Sequence, residues 1–589
     1  MFYKPTSLIS KYSTFPGLGS LAINNRLWYT WIIVAVILFF LQALTVDVLP
    51  SLMQDEAQIT DYGRLALDPL SRWSVTWWVA GNKPLLLWSY LGPLFAELGY
   101  QIGGPAGVGP RIVALLGGLL AAVIALGWLQ ERKVPAIFAA LLAIAFLLDP
   151  LFTLSQRMAR SDSWVMAFCL GSCLLLRLSA RATGKSVFVF ISLSGTLAAI
   201  AVFVWPSAVF LYPLIVLEFI NANIRAGGAE KPLSSVLRAA SLFVLGGILI
   251  SIILIIPIRN QLLIIMDDMK NMIALNVNAS KTPVERASAL VSYQPWAKLV
   301  KAFVKTLSPF LPLLAILAVF YKRDRGLLIA TILTLMMIFS TLVYEFRLLY
   351  LLPYFLALAG TLFSDEDYNS KRPAIWRLNT SLVVLTVLWS ICISIILRSA
   401  LAFSEGVQRK RILITEAATT AIGSGNYNVF LAFTYEFYFT GRSLGWQLYT
   451  PYIQFSFDEE GNWIRKDDYK PTANFIRLMS QMDYAIFSKN GLGEDLAGQL
   501  ELSGLKYQGT IHISDESEIY DNSKDSGRMQ DIFVWYLRGA PSYGPYILYA
   551  RSTRKTALTT TGSASMNGAA SRSGTASKSG TASKNVQVQ

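Results

Sequence analysis

Strongly apolar stretches, each long enough to approach the thickness of a bilayer, recur through the first two thirds of the chain and then stop. Eleven such runs occupy 27–46, 112–130, 134–153, 163–178, 186–204, 206–220, 239–258, 302–321, 327–343, 348–363 and 378–397. A helix rises 1.5 Å per residue, so about 20 apolar residues cover a hydrocarbon core of roughly 30 Å. The pattern predicts a polytopic α-helical membrane protein of about eleven spans, with juxtamembrane helices between them. The first run starts late and ends in Asp47, Leu49 and Pro50 without a small-residue cleavage site. It therefore reads as a span with a retained N-terminus, not as a cleaved signal peptide.

A further apolar stretch, 84–100, carries Glu97, Pro93 and two glycines, and it follows a segment containing Trp73, Trp77 and Trp78. Tryptophan concentrates at the membrane–water interface, so this stretch reads as a juxtamembrane or re-entrant helix. The distribution of basic residues supports that reading, because counting it as a span would reverse the orientation of everything after it. With 84–100 not crossing, fourteen Lys and Arg residues fall in the cytoplasmic connectors, against three (Arg157, Arg160 and Arg347) in the short connectors opposite. The predicted layout is a cytoplasmic N-terminus (1–26), a membrane domain (27–398) with external loops at 47–111 and 259–301, and everything after the last span outside.

From about Phe403 the chain turns polar and aromatic. Alternating apolar runs predict strands at Val429–Phe433, Tyr484–Phe487, Thr510–Ile513 and Tyr546–Tyr549, with helices at Thr472–Met482 and Glu494–Leu505. The region 403–551 is thus expected to form an external α/β domain. The tail 552–589 repeats Ser-Gly-Thr-Ala-Ser-Lys with too little apolar content to form a core, and disorder is expected there.

Composition agrees with the membrane class: 54% hydrophobic residues, 15% charged residues and a mean hydropathy of +0.46. The net charge of +14 is spread over connectors, as membrane topology requires, and points to no nucleic acid partner. Cys169, Cys173 and Cys392 sit inside apolar runs, so they form neither a disulfide framework nor a zinc set.

Ionisable groups are costly at membrane depth, so those that topology does not explain are candidates for chemistry. They gather on the external side: Asp55-Glu56, Lys83 in Asn82-Lys83-Pro84, the run Arg157-Met-Ala-Arg160-Ser-Asp162, and Tyr344-Glu-Phe-Arg347-Leu-Leu-Tyr350. Each has a plain structural reading: a charged helix start, an anchor snorkelling to headgroups, a self-satisfied ion pair. Adjacent carboxylates on a helix face different ways, so one of Asp55 and Glu56 would point into a site while the other supports it.

Taken in order, these motifs resemble those of the GT-C glycosyltransferases that use polyprenyl-phosphate sugars, in particular the branch of protein O-mannosyltransferases and lipid A aminoarabinose transferases. That branch carries an Asp-Glu pair, a Lys-Pro-Pro-Leu helix, an arginine-led span, an Ala-Arg-x-x-Asp-like element and a late Arg/His-Tyr-x-x-Pro span. The counterparts here are Asp55-Glu56, Lys83-Pro84-Leu85, Arg111-Ile112, Ala159-Arg160-Ser161-Asp162, and Arg347 through Tyr350 to Pro353. Leu85 replaces the second proline, and Arg160 and Asp162 stand closer together than in many relatives.

The resemblance implies an inverting transfer of a hexosyl or pentosyl unit from a polyprenyl-phosphate donor to a lipid, glycan or protein acceptor. It implies Asp55 as general base, with Glu56 as its alternative or partner, and Lys83, Arg160, Arg347 and Tyr350 as donors to the leaving phosphate. Asp162 would orient Arg160 or the sugar, with Arg157 and Tyr344 in support. No cofactor is required; Asp55 and Glu56 are where a divalent metal would be held. A bacterial inner membrane, with the C-terminal domain in the periplasm or outside, is the expected location. A secondary transporter or lipid flippase is the alternative that many spans and buried charges also suit, although the sequence shows no repeat between its halves.

The layout predicts that Arg132 and Lys322 are cytoplasmic while Asp162, Glu285 and Trp446 are external. In intact cells an impermeant thiol reagent should label Trp446→Cys and spare Lys322→Cys. The reverse pattern would mean that 84–100 crosses.

Overall fold

The computed structural model describes residues 25–76, 84–223, 233–276, 292–321, 324–341, 345–364, 373–450, 455–457, 463–465, 473–488, 494–513, 537 and 543–551. The expected tail lies outside them. The chain is an integral, multi-pass membrane protein: seven described helices are long and apolar enough to cross a bilayer, or eight if a pair bent by 47° counts as one span. They include α1 (Asn25–Ala43), α4 (Val108–Glu131), α7 (Asp162–Arg181), α8 (Lys185–Val204) and α10 (Leu233–Ile255). Between α1 and α4 lie α2 (Gln54–Leu67) and α3 (Leu91–Gly103). The bent pair is α5 (Ala136–Leu147) with α6 (Pro150–Arg157), and α9 (Tyr212–Asn223) continues a short 3-10 turn.

The described helices do not follow the predicted runs one for one, because breaks that hydropathy does not see divide several of them. The run 302–321 is split into Tyr293–Lys305 and Phe310–Tyr321, with Leu307 at φ 63° between them. The run 348–363 passes through a 3-10 turn at Leu349–Leu351 before Pro353. The helix from 327–343 is Arg325–Phe339, only 15 residues long.

Apolar side chains that would be inside a soluble protein face outward here. On α10, Leu237, Val244, Leu245, Ile248, Leu249 and Ile252 are exposed while Ala239 and Gly246 are buried. That is a lipid-facing surface with a small-residue seam. The seam meets α8 backbone to backbone: a Cβ at Gly246 would lie 2.1 Å from the Ser192 carbonyl oxygen, and one at Gly195 would lie 1.9 Å from that of Phe243.

Charged residues gather at two poles. At one, Glu218 on α9 accepts from Trp128 Nε1 at 3.1 Å and pairs with Arg132 and Arg177, and Arg132 reaches Asp324 at 3.2 Å. The ends of α4, α7 and α9 and the start of Arg325–Phe339 therefore lie together, as alternating connectors require. At the opposite pole meet the starts of α2, α4 and α7 and the turn around Tyr350.

The stretch 84–100 becomes α3, which at 13 residues is too short to cross. It packs against α2 and α4 through glycines: a Cβ at Gly63 would sit 2.1 Å from the Pro93 carbonyl oxygen, and one at Gly109 would sit 1.8 Å from that of Gly99. Its Glu97 accepts two bonds from Arg442, at 2.7 and 2.9 Å, and its Tyr100 ring lies 5.5 Å from that of Phe439. The carboxylate that made this segment a poor span thus has its partner in the C-terminal domain.

That domain is the α/β unit expected. Strands β1 (Asn428–Ala432), β2 (Gln447–Tyr449), β5 (Tyr484–Ser488), β6 (Leu505–Ile511) and β7 (Tyr546–Arg551) form one sheet in the order β2-β1-β5-β7-β6, and β3 (Phe455–Phe457) pairs with β4 (Trp463–Arg465) in a hairpin. β1 runs parallel to β2 and β5, whereas β7 is antiparallel to β5 and β6. Alternation along the strands splits the core in two. Phe430, Phe487 and Tyr549 pack with Met479 and Leu500 of the covering helices. Val429, Leu431, Ile486 and Leu548 share a core with Leu52 and Ala57 at the start of α2 and Tyr100 of α3. The sheet is therefore seated on the two helices that follow the first span.

Candidate active site

Asp55 and Glu56 occupy the first turn of α2, where the helix dipole favours negative charge. One residue of helix turns a side chain by about 100°, and the two carboxylates diverge accordingly. Glu56 points inward and is fully buried. Arg111 holds both its oxygens, through Nε to Oε2 at 2.7 Å and Nη2 to Oε1, Arg411 Nη2 reaches Oε2 at 3.2 Å, and the Met53 amide donates at 3.2 Å. The rest of the Arg111 fork is spent on the carbonyls of Val46, Pro50 and Ser51, at 2.7, 2.9 and 3.3 Å. Burial works against ionisation of Glu56, but the guanidiniums of Arg111 and Arg411 outweigh it and hold the carboxyl below its ordinary value.

Asp55 points the other way, and its side chain is 35% exposed, against 0% for Glu56 and 1% for Asp162. It is the carboxylate of this group that a substrate can reach. It pairs with Nη1 of Arg160, whose Nε donates to Asp162 Oδ2 at 2.7 Å and whose guanidinium lies 4.2 Å from the centre of the Phe346 ring. Asp162 is fixed by the Ser155 hydroxyl at 2.9 Å and the Tyr350 hydroxyl at 2.5 Å. The turn presenting Arg160 contains buried Ala159 at φ 52°, a left-handed conformation that costs a non-glycine residue of order 1 kcal/mol.

The structure thus brings together Asp55, Arg160, Asp162 and Tyr350 from three separate parts of the chain. Arg347 is buried one turn before Tyr350. Arg157 is not in the group: its guanidinium donates to the carbonyls of Leu49, Gln42 and Thr45, at 3.0, 2.9 and 2.7 Å, tying down the end of the first span. Lys83 and Tyr344 lie outside the described residues. A metal held jointly by Asp55 and Glu56 does not fit, because Glu56 turns both oxygens to arginines on the far side of the helix. Among the described residues no three His, Cys, Asp or Glu side chains gather as a metal set.

Two contributors escaped the sequence reading. Arg411 comes from the connection into the C-terminal domain, more than 350 residues from its partner. Asp61, buried on α2, accepts from Arg64 Nε at 2.8 Å, Tyr438 OH at 3.0 Å and the Val75 amide at 3.0 Å, so it binds α2 to that domain. The i,i+3 spacing of Asp61 and Arg64 was the available signal.

No family model matches the chain, and no curated protein does. Among solved structures it is similar to ArnT from Cupriavidus metallidurans bound to undecaprenyl phosphate, with 13% identity, a TM-score of 0.48, and 82% of this chain and 96% of that one covered. It is also similar to the Archaeoglobus fulgidus oligosaccharyltransferase in complex with Zn and sulfate (11% identity, TM-score 0.45, covering 80% of this chain and 71% of that one). A third is the mycobacterial arabinofuranosyltransferase AftD (15% identity, TM-score 0.46, covering 90% of this chain and 42% of that one). All three are GT-C glycosyltransferases, the class that the sequence motifs resemble. Likeness at these scores carries no argument about function, which rests on the residues themselves.

Glu56→Gln leaves two buried guanidiniums without a counter-charge and should cost about 3–5 kcal/mol, read as a lower melting temperature of the purified protein in detergent. Asp55→Asn, which alters a partly exposed pair, should change stability by about 1 kcal/mol or less. Because the Glu56 carboxyl is held below its ordinary value of 4.5, its contribution is full above that pH and fades as pH falls through the folded value. Acid should therefore destabilise the wild type more steeply than Glu56→Gln.

Proposed function

We propose that this protein is an inverting glycosyltransferase that moves a sugar from a polyprenyl-phosphate donor to an acceptor hydroxyl or amine at the external leaflet of a bacterial inner membrane. The observation that carries this reading is the pairing of one accessible carboxylate, Asp55, with one well-anchored guanidinium, Arg160. The motif resemblance supplies the reaction class, and it is supported by a reachable carboxylate lying beside an anchored guanidinium.

In the reaction, the acceptor oxygen or nitrogen attacks the anomeric carbon while the bond from that carbon to the phosphate oxygen breaks. The bonding pair leaves with the phosphate, and the acceptor proton passes to Asp55. Arg160 is already polarised toward anions, with Asp162 as a fixed second partner that keeps it in place when Asp55 lets go. An arriving donor phosphate competes with Asp55 for Nη1. Once displaced, the Asp55 carboxylate is released from Arg160 and is free to take the acceptor proton. Arg160 then stabilises the charge that builds on the leaving phosphate. Lys83 and Arg347 are assigned by resemblance as further phosphate partners, and Tyr350 holds Asp162 in register through its hydroxyl. Glu56 takes no proton in this scheme; it aims Asp55 by anchoring the helix start.

Asp55→Asn keeps the shape and removes the base, so transfer should fall by about 10² to 10⁴ while a polyprenyl-phosphate donor still binds. Arg160→Gln should weaken donor binding and turnover together, since its contact is made before and after bond cleavage. Near-wild-type transfer by Asp55→Asn would remove Asp55 from the base role.

A further inference from the structure

We infer that the protein holds a second, buried anion of the phosphate class at Arg398, separate from the Asp55–Arg160 site and independent of the glycosyl-transfer reading. Arg398 lies near the end of the last span, directly after the π-turn Cys392–Leu397, and is 2% exposed. Its Nε and Nη1 are buried and find no hydrogen-bond partner among the described residues. Arg111 lies within its electrostatic range, and Arg157 is within range of both arginines and of Asp47.

The charge balance in this region does not close. Arg157 is hydrogen-bonded through its guanidinium to neutral backbone carbonyls and the Thr45 hydroxyl, none of which cancels its charge. Arg111 and Arg411 share the single carboxylate of Glu56. Four buried guanidiniums therefore share two carboxylates, Glu56 and Asp47, and Arg398 is the one with neither Nε nor Nη1 bonded among the described residues. A buried cation without a counter-ion is among the most costly features a fold can carry, and a cluster of them is the usual way a protein builds a place for an oxyanion. The guanidinium fork matches a phosphate better than it matches a halide. The neighbouring Ile396 and Leu397 are 60% and 37% exposed and apolar, so the end of the last span presents a lipid-compatible surface beside Arg398. The shared chemistry is a phosphate oxyanion, and two sources supply it: a bilayer lipid headgroup or free phosphate.

The full-length protein distinguishes them by thermal unfolding in two arms. One arm titrates inorganic phosphate against chloride at equal ionic strength in detergent. The other compares nanodiscs of phosphatidylcholine alone with nanodiscs containing one-fifth phosphatidylglycerol. A headgroup site predicts a rise of a few degrees only in the second arm, and a free-phosphate site predicts a saturable rise in the first. In either case Arg398→Gln should lose that rise and should match or exceed wild-type stability in anion-free zwitterionic conditions, because it removes the uncompensated charge. Arg398→Lys keeps the charge without the fork and should retain part of the rise. The inference is overturned if neither anion stabilises the wild type, or if the rise is the same in Arg398→Gln.

Discussion

The buried ion triad of Glu56 with Arg111 and Arg411 is the interaction on which the rest of the site depends. It joins three pieces of chain far apart in sequence: the start of α2, the start of α4 and the connection into the C-terminal domain. Because both Glu56 oxygens are occupied on the inner side, the next residue back along the helix must project outward. Asp55 is aimed by its neighbour's ion pairs more than by its own. Buried pairs of this kind contribute little net stability relative to an apolar core, yet they are costly to break, so they fix geometry more than they add free energy.

The second constraint is the sharing of Arg160 between Asp55 and Asp162. A guanidinium bonded to two carboxylates is held whichever one it loses, so under the proposed mechanism a donor phosphate replaces Asp55 without disordering the arginine. Tyr350 and Ser155 fix Asp162 in turn, so Arg160 rests on packed helices of the membrane domain. Asp55 belongs to α2, which the C-terminal sheet covers through the Leu52, Ala57 and Tyr100 contacts and the Tyr438–Asp61 bond. Asp55 and Arg160 therefore stand on different supports, and the C-terminal domain bears on the Asp55 side.

Much of this was legible in the sequence for physical reasons. Apolar runs mark spans because each must exclude charge over its length, and the strands of the C-terminal domain announce themselves by alternation. The members of the site were visible as charges with no topological explanation. What the sequence withheld was direction and partnership. Glu56 and Asp55 are adjacent and chemically alike, and only the positions of Arg111 and Arg411 decide which one turns inward. Arg157 and Arg160 are separated by less than a helical turn, yet one is spent on backbone carbonyls and the other faces Asp55. Breaks within apolar runs were also hidden, since hydropathy averages over residues 306–309 and the 3-10 turn Leu349–Leu351, where the α-helices interrupt.

The central claim is that donor phosphate and Asp55 compete for Arg160. A structure with a bound polyprenyl phosphate measures this directly. The account predicts a phosphate oxygen within hydrogen-bond distance of the Arg160 guanidinium, the Asp55–Arg160 contact opened, and the Arg160–Asp162 bond intact. A phosphate seated elsewhere, with Asp55 still paired to Arg160, would contradict it.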